Sequence, residues 1–191
     1  MTPGSAGTPH ASWPSESLIS RPSGYFTLVM AIHPHCPCSR ASIGELAILI
    51  AHSGGRLAAF VVFVQPPGFD ATWTKSDLWS SAGLIPGVTR IIDLGAEAKL
   101  FGAATSGQTM VYDPRGRLLF SGGITAARGH FGDNAGVSAI ARLIDVPEPG
   151  GPARVVDRNK PVMVAATTPV YGCPLFARSA NRKSEQDKCA K

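Results

Sequence analysis

The chain is short of the features that would place it in several large protein classes. Only four of its 191 residues are cysteine, Cys36, Cys38, Cys173 and Cys189, too few to scaffold a domain of this length with disulfides. Charged residues make up 16% and aromatic residues 7%. No basic stripe with interleaved aromatics occurs, which argues against nucleic-acid binding. The longest apolar run, LAAFVVFV at residues 57–64 and including AAFVVFV at 58–64, is far too short to span a bilayer. The opening residues, MTPGSAGTPHASWPSESLISRPSG, lack the basic start and apolar stretch of a secretory signal. A soluble chain, cytoplasmic by default, is therefore expected. No internal repeat is visible.

What is present suits one globular domain with loose ends. The apolar fraction of 44% is ordinary and sufficient for a core. The formal charge is +5, but its placement is uneven. Residues 25–145 hold nine Lys and Arg against eight Asp and Glu, while residues 146–191 hold eight against four. The excess therefore lies in the tail, where a basic segment is usually solvated. Residues 1–24, rich in Ser, Pro and Gly, read as a disordered lead-in. Residues 25–146 form the domain, and residues 147–191 a Pro/Gly-rich basic tail. The domain is expected to stand without residues 1–22 and 177–191.

Hydrophobic patterning orders the elements. YFTLVMAIH at 25–33 reads as a buried strand. Ile43, Leu46, Ala47, Ile50 and Ala51 recur at helical spacing over 39–52, and Ser-Gly-Gly ends that helix. RLAAFVVFV at 56–64 is a second buried strand, which completes a βαβ unit. Then come a QPPGFDATW loop, a short helix near 74–83, a strand at 88–93 and a short helix at 95–102. QTMVYDPRGRLLFSGG reads as a hairpin turning at residues 113–116, and a last helix spans 133–145 with Asp133 or Asn134 as its N-cap. This is the element order of the thioredoxin fold: α/β, with a central mixed sheet flanked by helices.

The chemistry is concentrated in AIHPHCPCSRASIGEL, residues 31–46. Cys36 precedes a proline, which pushes its backbone to an extended conformation. Pro37 suits the first position of a helix, where its missing N–H costs nothing. Cys36 is then the N-cap, its sulfur near the N–H groups of Cys38 and Ser39. The positive end of a helix favours a thiolate over a thiol, so Cys36 is the candidate nucleophile.

The segment HCPCSRASIGEL resembles the active site of thioredoxin-like thiol reductases of the TlpA/ResA type, whose pattern is Trp-Cys-x-Pro-Cys-Arg-Ala-x-x-x-Glu-Leu. Cys36 falls on the first, nucleophilic cysteine, and Arg40, Ala41, Glu45 and Leu46 fall on the Arg-Ala and Glu-Leu positions. Together with TSGQT and SGGITAARGH, the stretch is most like the RedB-like branch. The resemblance covers roughly residues 25–145 and extends toward TPVYGCPLF. It implies a thiol–disulfide oxidoreductase that needs no cofactor or metal and acts on protein or small-molecule thiols and disulfides. It also raises a cell-envelope location as an alternative. It sets Thr105, Ser106, Gly107 and Gln108 opposite Cys36. Gly107 stands at about the place of a cis-proline, from which Gly107→Pro is expected to be tolerated. His35, at the tryptophan position, would tune the thiolate or line the pocket.

The departures from that pattern leave the resolving thiol open. Ser39 stands where the second cysteine would be, its hydroxyl a candidate hydrogen-bond donor to the thiolate, and Cys38 lies one place earlier. Residues three apart on a helix share a face, but residues two apart do not. A Cys36–Cys38 disulfide would thus be strained and oxidising. Cys38, Cys173 or a small thiol could resolve. The runner-up activities are a peroxiredoxin-like peroxidase acting through a sulfenic acid and a copper-binding module. The latter would use Cys36, Cys38 and one of His33 and His35. A degenerate copy of the fold that only binds a partner is a third alternative. His130, in a glycine-rich loop, is a weaker pocket candidate, and Cys189 reads as incidental.

Overall fold

A computed structural model describes residues 2–144 and 165–176. Unbroken hydrophobicity decides which strand lies at the centre of the sheet. Strand β1 (Phe26–Ile32) is buried from Thr27 onward. Its alternate residues serve two cores, as a period of two requires. Leu28, Met30 and Ile32 face one cluster, and Val29 and Ala31 face the other.

Helix α1 (Ser39–His52) carries the chain over the first face to β2 (Leu57–Val64), which pairs with β1 in parallel. The helix ends where Gly54 and Gly55 take φ of 59° and 78°, conformations that side chains with a Cβ resist. Strand β3 (Val88–Asp93) extends the parallel half. On the other side of β1, β4 (Gln108–Tyr112) runs antiparallel, followed by antiparallel β5 (Leu118–Gly122) and the two-residue β6 (Ala166–Thr167). The order across the sheet is β3-β2-β1-β4-β5-β6. Ile43, Leu46 and Leu49 of α1, with Ile140 and Ile144 of α5 (Ala135–Ile144), close the first core. Phe101, Met110 and Tyr112 fill the second, beneath α4 (Ala96–Leu100).

Local chemistry explains most of the boundaries. The single helix expected near 74–83 is two: α2 (Ala71–Thr74) and α3 (Asp77–Gly83). Each has its own cap, since Asp70 accepts from the Trp73 N–H and Ser76 from the Trp79 N–H. The hairpin turns on Asp113, whose Oδ1 accepts from the backbone N–H groups of Arg115 and Arg117 at 2.8 and 2.9 Å. Of the two candidate caps of α5, Asn134 does the capping, with Oδ1 2.8 Å from the Val137 N–H.

The N-terminal segment differs from the loose lead-in expected of its composition. Trp13 stacks edge-on against Phe101 and Tyr112, with ring centroids 4.9 and 5.1 Å away. Ile19 is buried in the second core. Ser17 Oγ and the Leu18 N–H both donate to the Glu97 carboxylate, at 2.7 and 2.8 Å. Two well-placed apolar residues and one buried carboxylate anchor a stretch that is otherwise polar. At the other end, residues 165–176 also pack on the domain, whereas the boundary placed at residue 146, the remainder of the tail and Cys189 lie outside the described residues. Among the described residues no helix is long and apolar enough to cross a membrane.

Candidate active site

Strand β1 delivers the turn His33–Cys38 at its C-terminal end, and α1 begins directly behind it. The helix starts two residues later than Pro37 suggested. Cys38, not Cys36, occupies the N-cap position, and no side chain caps it. The reason is a tight turn ahead of the helix, in which the Ser39 and Arg40 N–H groups donate to the carbonyls of Cys36 and Pro37 at 3.0 and 3.4 Å. Cys36 sits at the head of that turn with no exposed surface.

Its sulfur lies 3.1 Å from that of Cys173, and the two are hydrogen-bonded. Cys36, Cys38 and Cys173 are all thiols rather than disulfide-linked. The Cys36 thiol is pulled from its ordinary 9.0 down to about 4, chiefly by the hydrogen bond from the Cys173 side chain. Burial opposes that shift, while Ser39 and the backbone N–H groups of Cys173 and Cys38 reinforce it. Donors to the charged form outweigh desolvation here. The expectation that helix-start N–H groups would favour the thiolate thus finds its donor in Cys38, though not through an N-cap.

Ser39 and Ser106 form the floor. Their hydroxyl oxygens are 2.7 Å apart, and Ser106 Oγ also accepts from the His33 N–H at 2.7 Å. Both serines are buried. Ser106 is thereby tied to the strand end that leads to Cys36. Gly107 follows with φ of 89°, and its N–H donates to the Ala31 carbonyl at 2.8 Å. That geometry reverses the expectation for Gly107→Pro, because proline holds φ near −65° and has no N–H.

The other expected pocket residues turn to different tasks. The Gln108 side chain accepts from the N–H groups of Gly7 and Ala104 at 3.1 and 3.0 Å, and Thr105 Oγ1 donates to the Ser5 carbonyl at 2.7 Å. Both side chains hold the N-terminal segment on the sheet. His35 is exposed and lies against Trp73, its ring centroid 4.3 Å from the indole and Nε2 2.9 Å from the Trp73 carbonyl oxygen. The histidine coupled to the site is His33. Burial lowers its pKa, while the Cys36 thiolate pushes the other way. His130 lies on the surface.

Cys38 is half-buried. Its pKa is raised by burial and then by the charge on Cys36, with Arg128 opposing. Arg128 comes from the loop ahead of α5, and α1 holds that loop in place. The buried Glu45 carboxylate accepts from the Gly132 N–H at 2.7 Å and from Asn134 at 3.4 Å. Gly44 leaves room for the Phe131 ring, which a Cβ would meet at 2.1 Å. Sequence reasoning weighed His33 only as a metal ligand and gave the pocket role to His35, and it missed Arg128, which only the fold brings near Cys38. Among the described residues no three His, Cys, Asp or Glu side chains gather as a metal site. An apolar cavity of about 530 Å³, lined by Tyr25, Ile50, Leu57 and Ile85 among others, lies at the far end of β1 from Cys36.

No family model matches the sequence, and no curated protein matches it. Solved structures do. An uncharacterised conserved protein from Geobacillus kaustophilus is similar over 94% of each chain at 17% identity, with a TM-score of 0.57. A hypothetical protein from Sinorhizobium meliloti 1021 is similar at 19% identity, over 94% of this chain and 96% of that one, with a TM-score of 0.55. A thioredoxin-like protein from Aeropyrum pernix is similar at 12% identity, over 72% of this chain and 88% of that one, with a TM-score of 0.50. The fold is thioredoxin-like: a mixed six-stranded sheet flanked by helices.

Proposed function

We propose that this thioredoxin-like domain is a thiol–disulfide oxidoreductase with Cys36 as its attacking group. The observation that carries the reading is the environment of that one sulfur: fully buried, at the head of the turn into α1, and hydrogen-bonded by Cys173, Ser39 and backbone N–H groups so that its pKa falls to about 4. A thiolate held at neutral pH is what disulfide exchange requires. The resemblance of the cysteine segment to the TlpA/ResA type, and to its RedB-like branch, points the same way.

The chemistry balances as follows. The Cys36 thiolate attacks one sulfur of a substrate disulfide. The substrate S–S bond breaks, a mixed disulfide forms on Cys36, and the other substrate sulfur leaves as a thiolate that takes a proton. A second thiol then attacks the Cys36 sulfur and expels the remaining substrate thiol. The substrate gains two electrons and the protein is left as a disulfide. His33 and the Ser39–Ser106 pair position the turn that carries the nucleophile.

The test is reduction of a small aromatic disulfide, followed by its chromophoric thiol, with a dithiol as final reductant. Wild type should turn over, and Cys36→Ser should lose at least a hundredfold in rate. Retention of turnover in Cys36→Ser would remove Cys36 from the chemistry. The burial of Cys36 favours a second reading with a smaller oxidant, in which the thiolate attacks a hydroperoxide, forms a sulfenic acid and releases an alcohol or water. Capture of a sulfenic acid on Cys36 by a carbon nucleophile, without turnover of the disulfide, selects that reading.

A further inference from the structure

The tail carries a motif that the proposed reaction leaves unexplained. Residues 171–175, Tyr-Gly-Cys-Pro-Leu, return to the site from β6 and lie along the loop before β4. Two backbone hydrogen bonds join them: the Ser106 N–H donates to the Cys173 carbonyl at 2.8 Å, and the Leu175 N–H donates to the Ala104 carbonyl at 2.9 Å. Thr105 and Pro174 form the resulting antiparallel bridge. The segment is anchored on both sides of the cysteine, by Val170 and Leu175, each almost fully buried.

The fit is built into the sequence at several points. A Cβ on Gly172 would meet the Ser106 carbonyl oxygen at 1.9 Å, so only glycine lets the strap come this close. Further back, Cβ atoms on Gly122 and Gly123 would meet Thr168 and Pro169 at 2.2 and 2.5 Å. The Gly-Gly pair at the end of β5 is therefore the seat of the same strap. Thr168 Oγ1 completes it with a hydrogen bond to the Gly123 carbonyl at 2.7 Å. An extended segment that adds itself to a backbone edge and presses a cysteine against a nucleophile uses the geometry of peptide recognition by strand addition.

From this arrangement we infer that Cys173 is the resolving thiol, and that the strap Tyr171–Leu175 occupies the seat of the substrate backbone between turnovers. The inference rests on the proposed role of Cys36. With the strap parted from residues 104–106, a substrate disulfide reaches Cys36 and forms the mixed disulfide. Redocking then brings the Cys173 sulfur, as a thiolate, onto the sulfur of Cys36. The Cys36–substrate bond breaks, the Cys36–Cys173 bond forms, and the second substrate thiol leaves with a proton. Opening the strap is a local event that breaks the two backbone hydrogen bonds to residues 104–106 and the bonds of Cys173 to Cys36, well short of global unfolding. Closing the bond asks the two sulfurs to approach by about 1 Å from their present contact. Cys38, held near Arg128 and two residues from Cys36 on a tight turn, is the poorer partner.

The experiment uses the full chain, oxidised glutathione as the probe disulfide, and mass spectrometry of proteolytic fragments without reduction. Wild type and Cys38→Ser should both yield a disulfide joining the Cys36 and Cys173 fragments, with two glutathiones released per protein. Cys173→Ser should stop at a glutathione adduct on Cys36. Gly172→Ala retains every thiol but lifts the strap, and should accumulate the same adduct before closing at least tenfold more slowly. If Cys173→Ser does not fold, the wild-type map and the Gly172→Ala rate still decide the matter. A Cys36–Cys38 disulfide in wild type, or an adduct on Cys36 that never closes on Cys173, would overturn the inference and leave Cys36 as nucleophile. A Cys36 that glutathione does not touch would remove the oxidoreductase reading, and the inference with it.

Discussion

Replacing Gly107 by proline is a sharp test of how the loop facing Cys36 is built. The residue has φ of 89°, and proline is confined near −65°, so the substituted loop has to rearrange. An alanine there meets the strain of the left-handed region, roughly 1–3 kcal/mol, with its Cβ 2.9 Å from Ser42 Oγ. Proline adds the loss of the N–H that the Ala31 carbonyl accepts from at 2.8 Å. A buried carbonyl left without that donor costs about 1–3 kcal/mol more. Gly107→Ala should therefore lose roughly 1–3 kcal/mol and Gly107→Pro roughly 2–6 kcal/mol, a large share of the total for a domain of this size. Urea unfolding followed by far-ultraviolet circular dichroism reads both, as a lower midpoint at unchanged slope. Disulfide reduction should fall in parallel, since Ser106 and the strap hang on the same loop. A Gly107→Pro variant within about 0.5 kcal/mol of wild type would refute the reasoning, and would mean that the loop adopts the proline geometry at no cost.

Ser39→Ala removes a hydrogen bond to the Cys36 thiolate and should raise the pKa of that thiol by about one unit or more. The ultraviolet thiolate band against pH measures the shift, and an unmoved midpoint would deny Ser39 its part. Trp13→Ala should destabilise the domain by about 3 kcal/mol, and deletion of residues 2–22 by more, because Trp13, Ile19 and the Glu97 bonds go together. A truncated chain with the wild-type urea midpoint would contradict that. Stability should also depend on pH through Cys36. The folded pKa of about 4 lies below the ordinary 9.0, so the stabilisation is full above the ordinary value, shrinks as pH falls toward 4 and is gone below it. Thermal melts of wild type should accordingly lose ground to Cys36→Ala between pH 9 and pH 4. Parallel curves for the two proteins would show that the thiolate is not favoured by folding.

Much of the fold was legible because burial leaves a plain record. Runs such as FTLVMAI and LAAFVVFV have no other use than two-sided strands, and the βαβ unit with its later hairpin follows from them. Cys36 stood out as a candidate for a related reason, since it lies between a buried strand and the start of a helix. The Pro-led start expected there is replaced by a turn that puts Cys38 at the N-cap. What escaped was long-range. Ser/Pro/Gly composition suggested a loose N-terminus, yet a few anchors seat it, and composition does not record where a single Trp13 lands. Thr105 and Gln108 looked like pocket residues through the resemblance alone, but their side chains serve the N-terminal segment instead. Gly107 was read through the proline of similar folds, when its own backbone required a left-handed glycine. Cys173, left open among the possible resolving thiols, meets Cys36 from 137 residues away, and Arg128 reaches Cys38 from the loop ahead of α5. No local pattern reports such a distance.

The central claim is that Cys36 is a thiolate at neutral pH, and the direct measurement is a titration of thiolate absorbance in the intact chain, compared with Cys36→Ser. The expected result is one thiolate per protein appearing with a midpoint near 4 and absent from the variant. Thiolate absorbance that rises only around the ordinary 9.0, and equally in both proteins, would contradict it.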